Sequence, residues 1–126
     1  REYLTKGTKV DLAGSVRLQI ESSVYVLKKG GEILRFTRGE KDHFGLEGLD
    51  KPVNNPQSFF VSSDTDNLYV LDSGNSRLLV LTKTGSYKGQ YSGEKFGSAT
   101  DLVVDEIGKK VYLLEGSKIF QVDLNR

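Results

Sequence analysis

Asp72 and Arg77 stand five positions apart with Ser73-Gly74-Asn75-Ser76 between them. A carboxylate and a guanidinium around so short a polar run can hold an anion or an acidic partner. They can also close a turn, Asp72 accepting backbone amides and Arg77 pairing with a carboxylate between neighbouring units. The second reading is the stronger, because charged pairs flanking a turn are usually architecture. His43 is the only histidine and cysteine is absent. A catalytic zinc typically takes about three protein ligands, so no such site is expected. His43 could still act as a general base, but beside an outer strand it reads as a surface residue. Asp64, Asp66, Asp72, Asp105 and Glu106 raise the question of calcium. The run Asp64-Thr65-Asp66-Asn67 lacks the following Gly and the distal Glu that a calcium loop needs. No Gly-x-Ser-x-Gly elbow is present to expose a serine nucleophile. No glycine-rich phosphate loop precedes a helix, since no helix is expected. The chain therefore reads as non-enzymatic, with no cofactor and no metal.

The elements that must position these residues come from a repeat. Tyr25, Tyr69 and Tyr112 recur 44 and 43 positions apart, each inside a run of apolar residues. Each run is followed by a short polar turn and a second apolar run, at residues 33–36, 78–81 and 119–122. Each is preceded by a third, at residues 16–20, 59–61 and 102–104. The runs are short, rich in Val, Ile, Leu, Tyr and Phe, and bounded by Gly, Asn, Asp and Ser, so they read as strands. Glu115-Gly116-Ser117-Lys118 places Gly where a tight hairpin needs positive φ. The three tyrosines could suggest a stacking ladder for bases or sugars. Core packing against the neighbouring sheet explains their period better. Tyr87-Lys88-Gly89-Gln90-Tyr91 supplies an outer, half-exposed fourth strand. Its counterpart in the first repeat is expected around His43-Phe44-Gly45-Leu46.

The composition permits one modest domain. Of 126 residues, 37% are hydrophobic and 28% charged, and 18 basic side chains nearly cancel 17 acidic ones. That balance argues against nucleic acid, whose binders concentrate basic charge. Lys28-Lys29 and Lys109-Lys110 fall in turns and read as solubilising. No apolar run approaches the roughly 20 residues of a membrane span, so direct membrane insertion is not expected. The chain starts at Arg1 and contains no Met, so it is expected to be a piece of something longer.

The central repeat resembles an NHL-type β-propeller repeat. The residues that carry the likeness are 68–78, from Leu68-Tyr69-Val70-Leu71 through Asp72, Gly74, Asn75 and Arg77 to Leu78, and then Lys83-Thr84-Gly85-Ser86-Tyr87. The first repeat departs from the pattern, with Lys28-Lys29-Gly30-Gly31-Glu32 at the turn, and the third shortens it to Glu115–Lys118. The resemblance implies a six-bladed ring. Some similar repeats resemble the extracytoplasmic tails of membrane-anchored bacterial proteins, the one lead on location.

The expected fold is all-β: a β-propeller of four-stranded antiparallel blades, three blades per chain, half of a six-bladed ring. Glu2-Tyr3-Leu4-Thr5 would be an N-terminal strand completing the blade formed by the C-terminal strands. Residues 1–12 are then an outer strand and lead-in, 13–57 blade one, 58–100 blade two, and 101–126 three strands of blade three. Propellers run to about 4–8 blades, so three cannot close. The ring would be completed by a second identical chain, as a strand-swapped homodimer, or by missing sequence.

Recognition would then fall on loops at one face: residues 6–14, 28–32, 49–57, 72–77, 92–100 and 115–118. The candidate binding residues there are Lys28, Lys29, Asn54, Asn55, Gln57, Asp72, Asn75, Arg77 and Glu115. The 49–57 loop, with both prolines, is either a stiffened recognition loop or a linker. The leading expectation is a scaffold that binds a protein, peptide or glycan. A small-molecule or enzymatic site on the central channel, lined by Arg17, Gln19 and Ser62, is the alternative. An engineered or evolutionary half-propeller that only self-assembles is a third.

Overall fold

A computed structural model describes residues 15–20, 23–42 and 44–124. They form three antiparallel sheets laid down one after another. The first runs β1 (Ser15–Ile20), β2 (Val24–Lys28), β3 (Ile33–Thr37) and β4 (Glu40–Lys41). The second is β5 (Pro56–Phe60), β6 (Leu68–Asp72), β7 (Arg77–Leu81) and β8 (Tyr87–Ser92). The third is β9 (Asp101–Asp105), β10 (Lys110–Glu115) and β11 (Lys118–Asp123). In each, strands adjacent in sequence are adjacent in space, as short hairpin links require.

The repeat is a repeat of register. Tyr25 pairs with Gln19, Tyr69 with Phe60 and Tyr112 with Val103. The sheets stack face to face, each becoming a blade. Tyr25, Leu27 and Ile33 of the first blade pack on Phe59, Val61, Leu68, Val70, Leu79 and Leu81 of the second. Tyr69, Leu71, Leu78 and Val80 of the second pack on Leu102, Val104, Val111 and Leu113 of the third. The middle blade is covered on both sides, so every position of β6 and β7 is buried. A strand buried on both faces reads as a continuous apolar run, which is why residues 68–71 and 78–81 lack alternation. Each such leucine gains about 1.5–3 kcal/mol over its exposed state.

Three local expectations are corrected. The fourth strand of the first blade is Glu40–Lys41, not residues 43–46. Arg38 and Gly39 both take positive φ, making a two-residue hairpin that turns the chain back early. Phe44 and Leu46 instead pack on the core between the first two blades. The 92–100 link contains a one-turn helix, α1 (Glu94–Ser98), which drops Phe96 into the core between the last two blades. So short a helix carries one buried residue and leaves no period to read. Pro56 opens β5 instead of belonging to the loop before it. The first position of a strand tolerates a missing N–H. The expectations for Glu2-Tyr3-Leu4-Thr5 and for His43 concern residues outside the described ones. Among the described residues no fourth strand pairs with β11, and no helix is long and apolar enough to cross a membrane.

Candidate functional site

The β6–β7 turn is built around a buried ion pair. Asp72 closes β6 and Arg77 opens β7, with a single 3-10 turn (Ser73–Asn75) between them, and neither side chain reaches solvent. Arg77 Nε donates to Asp72 Oδ2 at 2.7 Å. Arg77 Nη1 reaches Asp50 Oδ1 at 2.7 Å and Gln90 Oε1 at 2.9 Å, and Nη2 donates to the Lys51 carbonyl at 2.7 Å. Asp72 does not cap its own turn: its Oδ1 accepts the Asn54 amide at 2.7 Å, and Oδ2 also accepts from Asn75 Nδ2. Asn75 Nδ2 donates as well to the Pro52 carbonyl, and the Gly74 amide to that of Asn54. The turn thus clamps residues 50–54 of the preceding connection. Gly74 is required there, since a Cβ would strike the Asn54 carbonyl oxygen and lie 2.6 Å from its Cγ. Burial raises the Asp50 carboxyl, but the hydrogen bond and charge of Arg77 outweigh it and hold the group below its ordinary value.

The clamped segment walls a recess of about 290 Å³ with the β2–β3 turn. Leu46, Leu49, Pro52 and Val53 supply its apolar sides, and Gly30 and Gly31 bring backbone against it. Gly31, at φ 98°, lies so close to Val53 that a Cβ would be 2.8 Å from the valine Cβ. Of the residues expected at this face, Asp72, Arg77 and Asn75 are engaged in the clamp. Lys29, Asn54 and Asn55 are exposed, and Lys28 closes β2 beside them. Gln57 belongs to β5. Glu115 lies at the next turn, 3.7 Å from Lys95 Nζ. A hydrogen bond from Ser98 and the Lys95 charge lower its pKa.

The inner strands β1, β5 and β9 form a second cluster. Arg17, Ser58 and Asp101 occupy the same register position, opposite Leu27, Leu71 and Leu114. Arg17 Nε donates to Ser58 Oγ at 3.1 Å, Ser58 Oγ to Asp101 Oδ1 at 2.8 Å, and Arg17 Nη2 meets Asp101 Oδ2 at 2.8 Å. Gln19 imitates a strand partner: its Nε2 donates to the Phe59 carbonyl at 2.5 Å, and its Oε1 accepts the Val61 amide at 2.9 Å. Ser62 falls past the end of β5, in the β5–β6 turn, where its carbonyl accepts from Lys83 Nζ. Ser58 and Asp101 complete this cluster and were not singled out from sequence. Aligning the three inner strands on the tyrosine register would have found them.

On the opposite rim Glu106 accepts from the Asp66 and Asn67 amides and from the Tyr69 hydroxyl at 2.7 Å. Burial and that contact raise the Tyr69 pKa. Of the acidic residues of the calcium question, Glu106 thus ties the β9–β10 turn to the β5–β6 turn of the preceding blade.

No protein-family model and no curated protein matches the sequence. Solved structures do match the fold. Hydrazine synthase of Kuenenia stuttgartiensis superposes with a TM-score of 0.64 at 17% identity, over 94% of this chain and 36% of that one. BamB from Moraxella catarrhalis gives 0.55 at 19% identity, over 83% and 30%. A streptogramin B lyase gives 0.52 at 16% identity, over 90% and 42%. These proteins contain β-propellers, and the three stacked sheets here have the same architecture. The chain is an all-β, partial β-propeller. It spans well under half the length of the structures it resembles.

Proposed function

We propose that the chain is part of an NHL-type, non-enzymatic propeller scaffold that binds a peptide segment of a partner protein at its loop-bearing face. The observation that carries this reading is the clamp of Asp72 and Arg77 on residues 50–54. It sets one wall of the Leu46–Leu49–Pro52–Val53 recess before any ligand arrives. A wall ordered in advance removes part of the entropic cost of binding. The lining suits a bulky apolar side chain from an extended peptide, with the exposed Lys29, Asn54 and Asn55 at hand for its backbone. A glycan would call for more polar or aromatic lining. The non-enzymatic reading is supported by the inner-rim polar groups, which bond to one another across blades.

Selection of a random peptide library on the wild-type chain and on Val53→Asp tests this. Wild type should enrich peptides with a bulky apolar residue, and calorimetry on a recovered peptide should show at least a tenfold weaker Kd for the variant. No enrichment on wild type, or equal binding by Val53→Asp, would overturn the reading.

A further inference from the structure

Two glycines stand side by side at the β2–β3 turn, and the fold explains only one of them. The Gly31 amide donates to the Lys28 carbonyl at 2.9 Å, and the Lys28 amide to that of Glu32 at 2.9 Å. This is the pattern of a short hairpin loop closed by a left-handed residue. Gly31 is that residue: its φ is 98°, it is buried, and a Cβ on it would strike Val53. Gly30 precedes it, at a position of such a turn that most residues can occupy. Its φ is not positive, it is exposed, and a Cβ built on it meets no atom within 4 Å. A glycine without a conformational need still weakens the fold, because the unfolded chain is freer there than with alanine. What the missing side chain leaves open is the recess, which Gly30 borders together with Leu46, Leu49, Pro52 and Val53. Its volume of about 290 Å³ exceeds that of an apolar cavity of about 150 Å³ that takes up benzene.

We propose that Gly30 sets the size of the side chain the recess accepts, and that the residue it takes from a partner peptide is aromatic. This rests on the reading of the recess as a peptide site and adds which residue the peptide carries there. A ring offers a large, rigid contact area and loses few rotamers on binding. The Leu46, Leu49, Pro52 and Val53 side chains give it apolar walls. A side chain at position 30 would compete with the ring for the same space, without disturbing the turn that Gly31 closes.

The test compares the wild-type chain with Gly30→Ala, Gly30→Leu and Gly31→Ala. In thermal melts Gly31→Ala should lower the midpoint, whereas Gly30→Ala should keep or raise it. Selection of a random peptide library on the wild type should enrich phenylalanine, tyrosine or tryptophan at one anchor position. Calorimetry then compares a recovered peptide with the same peptide carrying alanine at the anchor. The wild type should prefer the aromatic form by about tenfold or more. Gly30→Leu should lose most of that preference while binding the alanine form as the wild type does. A purely structural role for Gly30 would weaken both peptides alike. No enrichment on the wild type would overturn the peptide reading and this inference with it. Four other results would leave a peptide site standing and overturn the role given to Gly30 or the aromatic class. They are aliphatic anchors on the wild type, an aromatic preference that survives Gly30→Leu, equal weakening of both peptides, and a lowered midpoint in Gly30→Ala.

Discussion

Arg77 holds a carboxylate that has no access to water. Removing one partner of a buried pair leaves an uncompensated charge, at a cost of about 3–5 kcal/mol. Arg77→Ala should therefore lower the urea midpoint by an amount corresponding to that loss, with the slope of the transition unchanged. Arg77→Lys should recover only part of it, because an ammonium cannot reproduce the fork that spans Asp72, Asp50 and the Lys51 carbonyl. The same guanidinium fixes a pH dependence. Asp50 titrates below its ordinary 3.8 in the folded chain, so the unfolded chain binds its proton more tightly. The resulting stability is fully present above the unfolded value and is lost as pH falls through the lower folded one. Thermal melts should show the midpoint falling on acidification below about pH 4. Asp50→Asn should flatten that fall, and an unchanged acid limb in the variant would exclude the contribution.

Among the elements, the clamp turn depends on backbone proximity as much as on charge. Gly74→Ala would push a methyl into the Asn54 carbonyl, a steric change of the kind that costs about 1–3 kcal/mol. Limited proteolysis of the variant should then cut residues 50–54 faster than in wild type, since their anchor is displaced. The tyrosine-centred strands could be read from sequence because apolar identity, length and turn residues all agreed there. Asp72 to Arg77 could be read as a turn for the same reason. Its partners could not: Asn54, Pro52 and Asp50 lie 18 to 27 positions upstream of the side chains that hold them, and no local pattern encodes such a pairing. The two-residue β4 and the single turn of α1 are too short to carry a period. Arg17 and Gln19 read from sequence as polar residues of an inner strand. Their partners on β5 and β9 emerge only when three strands are superposed in register.

For the whole molecule, burial is unequal by construction. The middle blade is covered on both faces, and the blades on either side of it are each packed against one neighbour within the chain. Local opening costs least where few apolar contacts must be broken. Amide exchange should accordingly be slowest in β6 and β7 and faster in β10 and β11. Equal protection across the three blades would contradict this account of the core. The Arg17–Ser58–Asp101 chain adds a different constraint. It runs from the first blade over the second to the third, on the inner strands alone. Arg17 and Asp101 are each 38% exposed, so the ion pair contributes about 1 kcal/mol or less. Its position counts for more than its strength. It works as a tie beneath an arch, opposing any spreading of the feet, so that the bend is already set within a single polypeptide.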